Sequence, residues 1–160
     1  MIKHLLLLSI ISLSVVSCKK DQFQAVPGGD YFVTANLNGI PATFNTVVTA
    51  SRADERRSPN LLFVTGRSGE LNTREIVPSL TLILNDDAPL THKTYVSGVD
   101  PVNVGFSFAQ LTPYNAEPGF EITVNQLTSK EIRGSFKGKL KSTAGEIIDV
   151  TEGMFFSRIH

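Results

Sequence analysis

Apolar and polar residues alternate with a period of two along most of the chain after residue 30. Turn-forming pairs such as Asn38-Gly39 and Pro118-Gly119 interrupt this alternation at short intervals. Because successive side chains of a β-strand point to opposite faces, the pattern predicts short strands that each bury one face. No stretch beyond residue 30 has the spacing of an amphipathic helix.

The predicted strands cover residues 31–38, 42–50, 60–67, 76–85, 92–97, 102–109, 119–127, 131–142 and 146–157. Sequential strands that are joined by tight turns pair in antiparallel fashion. The expected fold is therefore all-β, and it is either an antiparallel β-sandwich or a small closed barrel of about 8–9 strands.

The predicted strand 131–142 places glycines among large apolar residues on one face and mostly charged residues on the other. Glycines such as Gly134 permit strong coiling of a strand or the close approach of a facing layer. The turn at 143–145 predicts a hairpin with Gly145 in the left-handed conformation. Its register pairs Leu140 with Ile148, Gly138 with Val150 and Ile132 with Phe156 on the inner side, and Lys139 with Asp149 on the outer side.

The same register places Glu152 opposite Phe136 on the apolar face. An unpaired carboxylate there costs several kcal/mol or takes up a proton. Two alternatives are open: a bulge at Glu152-Gly153 turns the carboxylate to water and brings Phe155 inward, or Glu152 is buried beside a basic partner and marks a polar site. A glycine directly after the glutamate favours the bulge.

The first seventeen residues have a different pattern, with a short basic start and an apolar run from Leu5 to Val16. As a helix this run is about 18 Å long, which is too short for the roughly 30 Å hydrocarbon core of a bilayer but fits a signal peptide. It ends in Val15-Val16-Ser17-Cys18, which resembles a bacterial lipobox. The resemblance implies that residues 1–17 are a cleaved lipoprotein signal peptide and that Cys18 is lipidated, with palmitate among its acyl chains.

The residue after Cys18 is Lys19 and not aspartate. By resemblance to lipoprotein sorting in Gram-negative bacteria, this favours the outer membrane and leaves open whether the protein faces the periplasm or the cell surface. Residues 18–30 are polar and contain Pro27-Gly28-Gly29, a composition typical of a flexible tether that spans about 20 Å. Residues 31–160 are expected to form a single all-β domain.

Composition limits the kinds of partner and of chemistry. Fifteen Lys and Arg residues balance fifteen Asp and Glu residues, so no overall field attracts nucleic acid, and no nucleic-acid partner is expected. Cys18 is the only cysteine, and after lipidation it leaves no thiol for catalysis, a disulfide or a metal.

Catalytic groups are also few. Of the three histidines, His4 lies in the signal peptide, His160 is the last residue, and His92 stands beside Lys93 as a surface residue would. Ser68 lacks the sequence context of a hydrolase nucleophile. We therefore expect no enzymatic activity, no cofactor and no metal site, and Asn85-Asp86-Asp87 is expected to form an Asx turn.

Five residues are candidate ligand contacts, and three of them are arginines. Arg52, Arg56 and Arg57 lie on one predicted loop and offer bidentate bonds to a carboxylate, sulfate or phosphate, although Asp54 and Glu55 in the same loop offset their charge.

The other two candidates are Tyr114 and Glu152. Tyr114 is expected in a loop at 112–115, where its ring would be free to stack on a sugar in a chain that has no tryptophan. Glu152 is a candidate if it is buried.

One face of the predicted strand 131–142 is basic and could meet lipid phosphates or an acidic polysaccharide. Lysines on an exposed strand also prevent edge-to-edge aggregation, which is the alternative explanation. The face consists of Lys130, Arg133, Lys137, Lys139 and Lys141.

Three stretches carry a further resemblance: TANLNG at 34–39, EIRGSF at 131–136 and VTEGMF at 150–155. Together they resemble a group of small Bacteroidetes-type outer-membrane lipoprotein domains of uncharacterised function. The resemblance implies an all-β lipoprotein domain and offers no catalytic positions. The expected function is that of a lipid-anchored, non-enzymatic module that binds a protein, a glycan or an envelope component. The alternative is a structural or accessory subunit without its own ligand, and a hydrolase is the third hypothesis.

Replacing Cys18 by serine is expected to leave unprocessed precursor or to release soluble protein, because serine has no thiol for acylation. Mass spectrometry of the wild-type protein extracted from membranes should find a mature chain that begins at an acylated Cys18. An unmodified Cys18, or a different mature start, would contradict the predicted anchor.

Overall fold

The computed structural model describes residues 31–52, 60–68, 78–107 and 113–160. The predicted signal peptide and tether, with Cys18, and the arginines Arg56 and Arg57 lie outside the described residues. The described part of the chain consists of strands joined by turns, without helices, so it contains no helix that is long and apolar enough to cross a bilayer.

The strands are β1 (Phe32–Leu37), β2 (Ile40–Thr43), β3 (Val47–Arg52), β4 (Leu62–Arg67), β5 (Ser79–Leu84), β6 (Thr94–Val96), β7 (Val102–Ser107), β8 (Pro113–Ala116), β9 (Glu121–Leu127), β10 (Glu131–Ser142) and β11 (Ile147–Arg158). All strand pairs are antiparallel, and the order is β2-β1-β11-β10-β8-β7-β5-β4-β3. Strand β9 also pairs with β10, and β6 pairs with β9. The sheet curls into a half-barrel of nine strands, which confirms the predicted all-β, antiparallel class.

The two strands at the ends of this order, β2 and β3, are consecutive in the chain and are joined by residues 44–46. Phe44 N donates to Val33 O on β1 at 2.8 Å, and Thr46 N donates to Arg67 O on β4 at 3.0 Å. The connection therefore bonds to both sides of the curled sheet and forms its corner.

The sequence-based strand assignment is wrong at two places. One strand was expected over 42–50, but the corner divides this stretch into β2 and β3. Residues 112–115 were expected to be a loop, but residues 113–116 form β8, which bridges β10 and β7. Both differences arise from pairing between strands that are distant in the sequence.

Gly66 on β4 lies against the corner. A Cβ atom at Gly66 would come within 2.7 Å of Phe44 O and 2.7 Å of the Val33 Cβ atom. Real side chains do not tolerate such distances, so the missing side chain is what lets β4 approach β1 at the corner.

The inner face of the sheet forms one hydrophobic core of mostly aliphatic and phenylalanine side chains. Phe120 stacks on Phe136 with ring centroids 6.4 Å apart. The backbone of Gly138 lies directly beside Phe120, where a Cβ atom would be 2.7 Å from the Phe120 Cα atom. The predicted alternation of glycines and large residues on β10 is therefore confirmed.

The hairpin between β10 and β11 begins in the predicted register. Leu140 pairs with Ile148 and Lys139 with Asp149, and Gly145 has a φ of 88°. The opposite charges of the second pair meet at 2.7 Å.

The predicted bulge at Glu152-Gly153 is confirmed. The register between β10 and β11 shifts between Phe136 and Gly138, and Glu152 has a φ of 51°. Glu152 is exposed, whereas Phe155 is fully buried. Because the bulge adds one residue to β11, Ile132 pairs with Ser157, and the expected pairing of Ile132 with Phe156 is wrong.

Gly66→Ala is expected to lower the free energy of unfolding by about 1–3 kcal/mol, because overpacking forces the corner and β4 apart. Gly105→Ala is the matched control: Gly105 also lies on a strand, and a Cβ atom there would meet nothing within 4 Å. Urea denaturation should find the control at or slightly above wild-type stability. Equal stability of both variants would show that the curled sheet does not depend on the close approach of β4 to the corner at Gly66.

Candidate ligand-binding groove

An apolar groove of about 570 Å³ lies at the end of the half-barrel where β1 ends and β11 begins. Its size is within the range of about 300–1,000 Å³ that is common for small-molecule sites. The lining is mostly aliphatic and consists of Leu37, Asn38, Ile40, Ala42, Tyr114, Glu146, Ile147 and Ile148.

The turn between β1 and β2 forms one rim of the groove. Asn38 and Gly39 have φ values of 50° and 78°, the combination that a type I′ hairpin turn needs. Asn38 also binds the neighbouring β11: its N–H donates to Asp149 O, and its Oδ1 accepts from Asp149 N, both at 2.8 Å. These bonds hold the rim, from which Ile40 projects with 69% of its surface exposed.

Besides Asn38 on the rim, a tyrosine and a glutamate form the polar part of the lining. The Tyr114 hydroxyl donates to Glu146 Oε2 at 2.6 Å. Glu146 is held in turn by Ser142, whose Oγ accepts from Glu146 N at 3.0 Å and whose N–H donates to Glu146 O at 2.9 Å. The carboxylate is therefore positioned at the wall of a mostly apolar groove.

The ring of Tyr114 is buried, with its centroid 6.2 Å from that of Phe106. The expectation of a freely exposed stacking ring is therefore wrong, because Tyr114 lies on β8 and its side chain points inward. Its position in the groove leaves its predicted role as a ligand contact open.

The hydrogen bond to the Glu146 carboxylate raises the pKa of Tyr114 above its ordinary value of 10.0, and desolvation and the nearby negative charge act in the same direction. The folded state therefore favours the neutral phenol. This stabilisation is complete below the unfolded pKa of about 10 and is lost as the pH rises through the raised pKa.

The groove can bind apolar groups along most of its wall and a hydrogen-bond donor or a cation at Glu146. The described residues contain no group of three His, Asp or Glu side chains that could hold a metal ion.

The other predicted contacts in the described chain lie away from the groove. Arg52 is exposed at the end of β3, at the opposite end of the half-barrel. Glu152 is exposed on the bulge, where its Oε2 accepts from Asn36 Nδ2 at 2.7 Å. The structure does not bring these residues together, and sequence reasoning missed Glu146 because no local pattern connects it to Tyr114.

Two further candidates have structural roles. His92 Nε2 accepts from Leu127 N at 3.0 Å and so attaches the chain before β6 to β9. Asp86 Oδ1 accepts from Ala88 N at 3.3 Å, which confirms the predicted Asx turn. Lys93 also contacts Asp86 at 3.0 Å.

The lysines in the middle of the predicted basic face are paired with acids. Lys137 contacts Glu121 at 3.1 Å, and Lys139 contacts Asp149 at 2.7 Å. This part of the face therefore carries little net charge.

Glu146→Gln is expected to return the pKa of Tyr114 toward its ordinary value, because an amide oxygen is a weaker acceptor for the Tyr114 hydroxyl than a carboxylate and carries no negative charge. The pKa of Tyr114 is measured from the rise in tyrosinate absorbance with pH. Subtracting the titration of Tyr114→Phe leaves the contribution of Tyr114 alone among the three tyrosines. Glu131→Gln, which removes an acid at the other end of the half-barrel, should leave the titration unchanged. An unchanged titration in Glu146→Gln would contradict the contact.

Comparisons with protein-family models, with curated proteins and with solved structures found no match. The chemistry of the groove therefore rests on its own residues: an aliphatic wall and one carboxylate that a buried tyrosine orients.

Proposed function

We propose that the protein is a non-enzymatic, lipid-anchored binding protein of the cell envelope, and that its groove holds an amphiphilic ligand with an apolar body and a hydroxyl or ammonium head. The observation that carries this proposal is the apolar groove of about 570 Å³ with the Tyr114–Glu146 pair in its wall.

The apolar body of the ligand follows from the aliphatic lining. Each methylene group that moves from water into such a lining contributes about 0.8 kcal/mol. Ile147 is 41% exposed and Ile40 is 69% exposed, so both offer surface that a ligand can cover. A molecule with an alkyl chain or a fused-ring body fits this surface better than a polar sugar.

The head group follows from Glu146. One carboxylate oxygen accepts the Tyr114 hydroxyl, and a carboxylate has further lone pairs for a second donor. A hydroxyl or ammonium group satisfies these lone pairs, whereas a ligand carboxylate or phosphate would be repelled by the negative charge.

The envelope location rests on the sequence. The lipobox-like ending at Cys18 supports anchoring, and Lys19 supports the outer membrane over the inner one. Two or three acyl chains hold a protein durably at a membrane. The resemblance to small Bacteroidetes-type lipoprotein domains agrees with the all-β class of the described chain.

A structural or accessory subunit is the second candidate function. The observation that favours it is the exposed Ile40 on β2, a strand at one end of the sheet order. A partner protein could cover Ile40 and the groove together, although Pro41 removes an N–H group from β2 and so limits pairing with another strand.

Fluorescence titration with a dansyl-labelled long-chain alkylamine tests the proposed function, with a dansyl-labelled fatty acid of equal chain length as the matched probe. We expect the probe with a free amine to bind about 30-fold more tightly than the acid, because attraction of the ammonium and repulsion of the carboxylate each contribute about 1 kcal/mol near water and their effects add. Glu146→Gln should remove this preference.

Ile147→Ser should weaken the binding of both probes several-fold, because it removes apolar surface from the groove. Val99→Ser is the matched control, since Val99 is 84% exposed and lies outside the groove, and it should bind like the wild type. Binding of neither probe, or binding that both groove substitutions leave unchanged, would overturn the proposal.

A further inference from the structure

We infer that the end of the half-barrel opposite the groove docks on an anionic lipid surface and thereby turns the groove away from the membrane. The inference rests on the lipid anchor of the proposed function. It concerns a different surface, which we call the basic end and which consists of Tyr31, Arg52, Lys130, Arg133, Phe156 and Arg158.

The place where the tether meets the domain supports this orientation. Tyr31 follows the tether of residues 18–30 directly, and its ring contacts the half-buried Phe156 with centroids 5.2 Å apart. The tether spans about 20 Å by random-coil scaling, so an anchor at Cys18 keeps this end of the domain within reach of the bilayer surface.

Backbone hydrogen bonds bring the cations together at this end. Ile159 N donates to Lys130 O at 2.7 Å, which places the start of β10 beside the end of β11. His160 N donates to Ala50 O at 2.9 Å, which brings the end of β3, and with it Arg52, to the same place.

Two arginines complete the surface beside the aromatic rings. The Arg133 guanidinium lies over the Phe156 ring, 4.9 Å from its centroid. Arg158 is exposed on the same strand as Phe156 and pairs in register with Glu131. Guanidinium groups and ammonium groups bind lipid phosphates, and aromatic rings are favoured at the boundary of the apolar layer.

Among the described residues, the charge of the basic end is less compensated than that of the outer face beside it. Lys93, Lys137 and Lys139 form ion pairs with described acids, whereas Arg52, Lys130 and Arg158 are exposed and take part in none of these pairs. Glu131 is the acid on this part of β10.

Acids at the same end lie on a different side of it. Asp86 follows β5 and Asp100 precedes β7, and both are bound to Lys93, at 3.0 and 3.2 Å. In the sheet order, β5 and β7 are separated from β11 by β10 and β8, so the charge is distributed unevenly across this end. An anionic surface would therefore attract the side formed by β1, β10 and β11.

The chain has no tryptophan, so a single introduced indole reports its own surroundings. We would extract the lipid-anchored Tyr31→Trp protein from membranes and reconstitute it in phosphatidylcholine vesicles and in vesicles that also contain phosphatidylglycerol. In vesicles that contain phosphatidylglycerol, the emission of this indole should shift to shorter wavelength and should be quenched by brominated lipid. In vesicles of phosphatidylcholine alone, neither change should occur. Ala144→Trp, in the exposed turn between β10 and β11 at the groove end but outside the groove lining, should stay unquenched in both.

Charge variants test which residues cause docking. The double variant Lys130→Gln, Arg158→Gln should lower the ratio of docked to undocked protein. The expected decrease is about five-fold for each charge that is removed. Lys137→Gln with Lys139→Gln removes the same charge and should change little. At about 3.3 Å per residue, the seven residues from Lys130, just before β10, to Lys137 span about 23 Å, more than twice the Debye length of about 10 Å in about 0.1 M salt.

Equal loss of docking in both double variants would overturn the inference, as would an emission spectrum of Tyr31→Trp that is the same in both kinds of vesicle. A shift caused by soluble polygalacturonate but not by anionic vesicles would also overturn it and would indicate an acidic polysaccharide. Ser129→Trp, in the exposed turn before Lys130, provides a second reporter if Tyr31→Trp does not fold. Flotation with phosphatidylcholine vesicles measures lipid anchoring separately from docking. Protein that floats but does not dock would contradict the docking inference and would leave the proposed lipid anchor unaffected.

Discussion

Close approach of backbone to backbone at Gly66 is the constraint on which the curled sheet depends. The corner at residues 44–46 bonds to β1 on one side and to β4 on the other, and it can do so only because β4 has no side chain at Gly66. Because the short corner joins β2 directly to β3, the curling of the sheet that positions β3 also fixes the position of β2. The groove uses this placement, because Ile40 and Ala42 of β2 form part of its wall.

The bulge on β11 has a similar effect at the other end of the half-barrel. Gly153 allows it, since a Cβ atom there would come within 2.4 Å of Phe136 O. By adding one residue, the bulge sends Glu152 to solvent and Phe155 into the core, and it leaves Phe156 on the outer face. There Phe156 can contact Tyr31 and Arg133, so a local irregularity in one strand produces the aromatic part of the basic end.

Features that depend on neighbours in the sequence could be predicted, and features that depend on strand order could not. The hairpin at Gly145, the Lys139–Asp149 pair and the bulge at Glu152 follow from turn chemistry and from alternation within two adjacent strands. The Tyr114–Glu146 pair requires β8 to lie beside β10, and alternation does not encode which strands become neighbours. The corner was missed for the same reason, because its two sides bond to strands that are far apart in the sequence.

The central claim is that the open end of the half-barrel binds the apolar body of an amphiphile, and methyl NMR of isoleucine tests it most directly. On titration with dodecylamine, the account predicts that the methyl signals of Ile40, Ile147 and Ile148 shift together and saturate. The signals of Ile122 and Ile132, which are fully buried in the core, should remain in place. Shifts that are absent from the three groove isoleucines, or that spread evenly over all five, would contradict the claim.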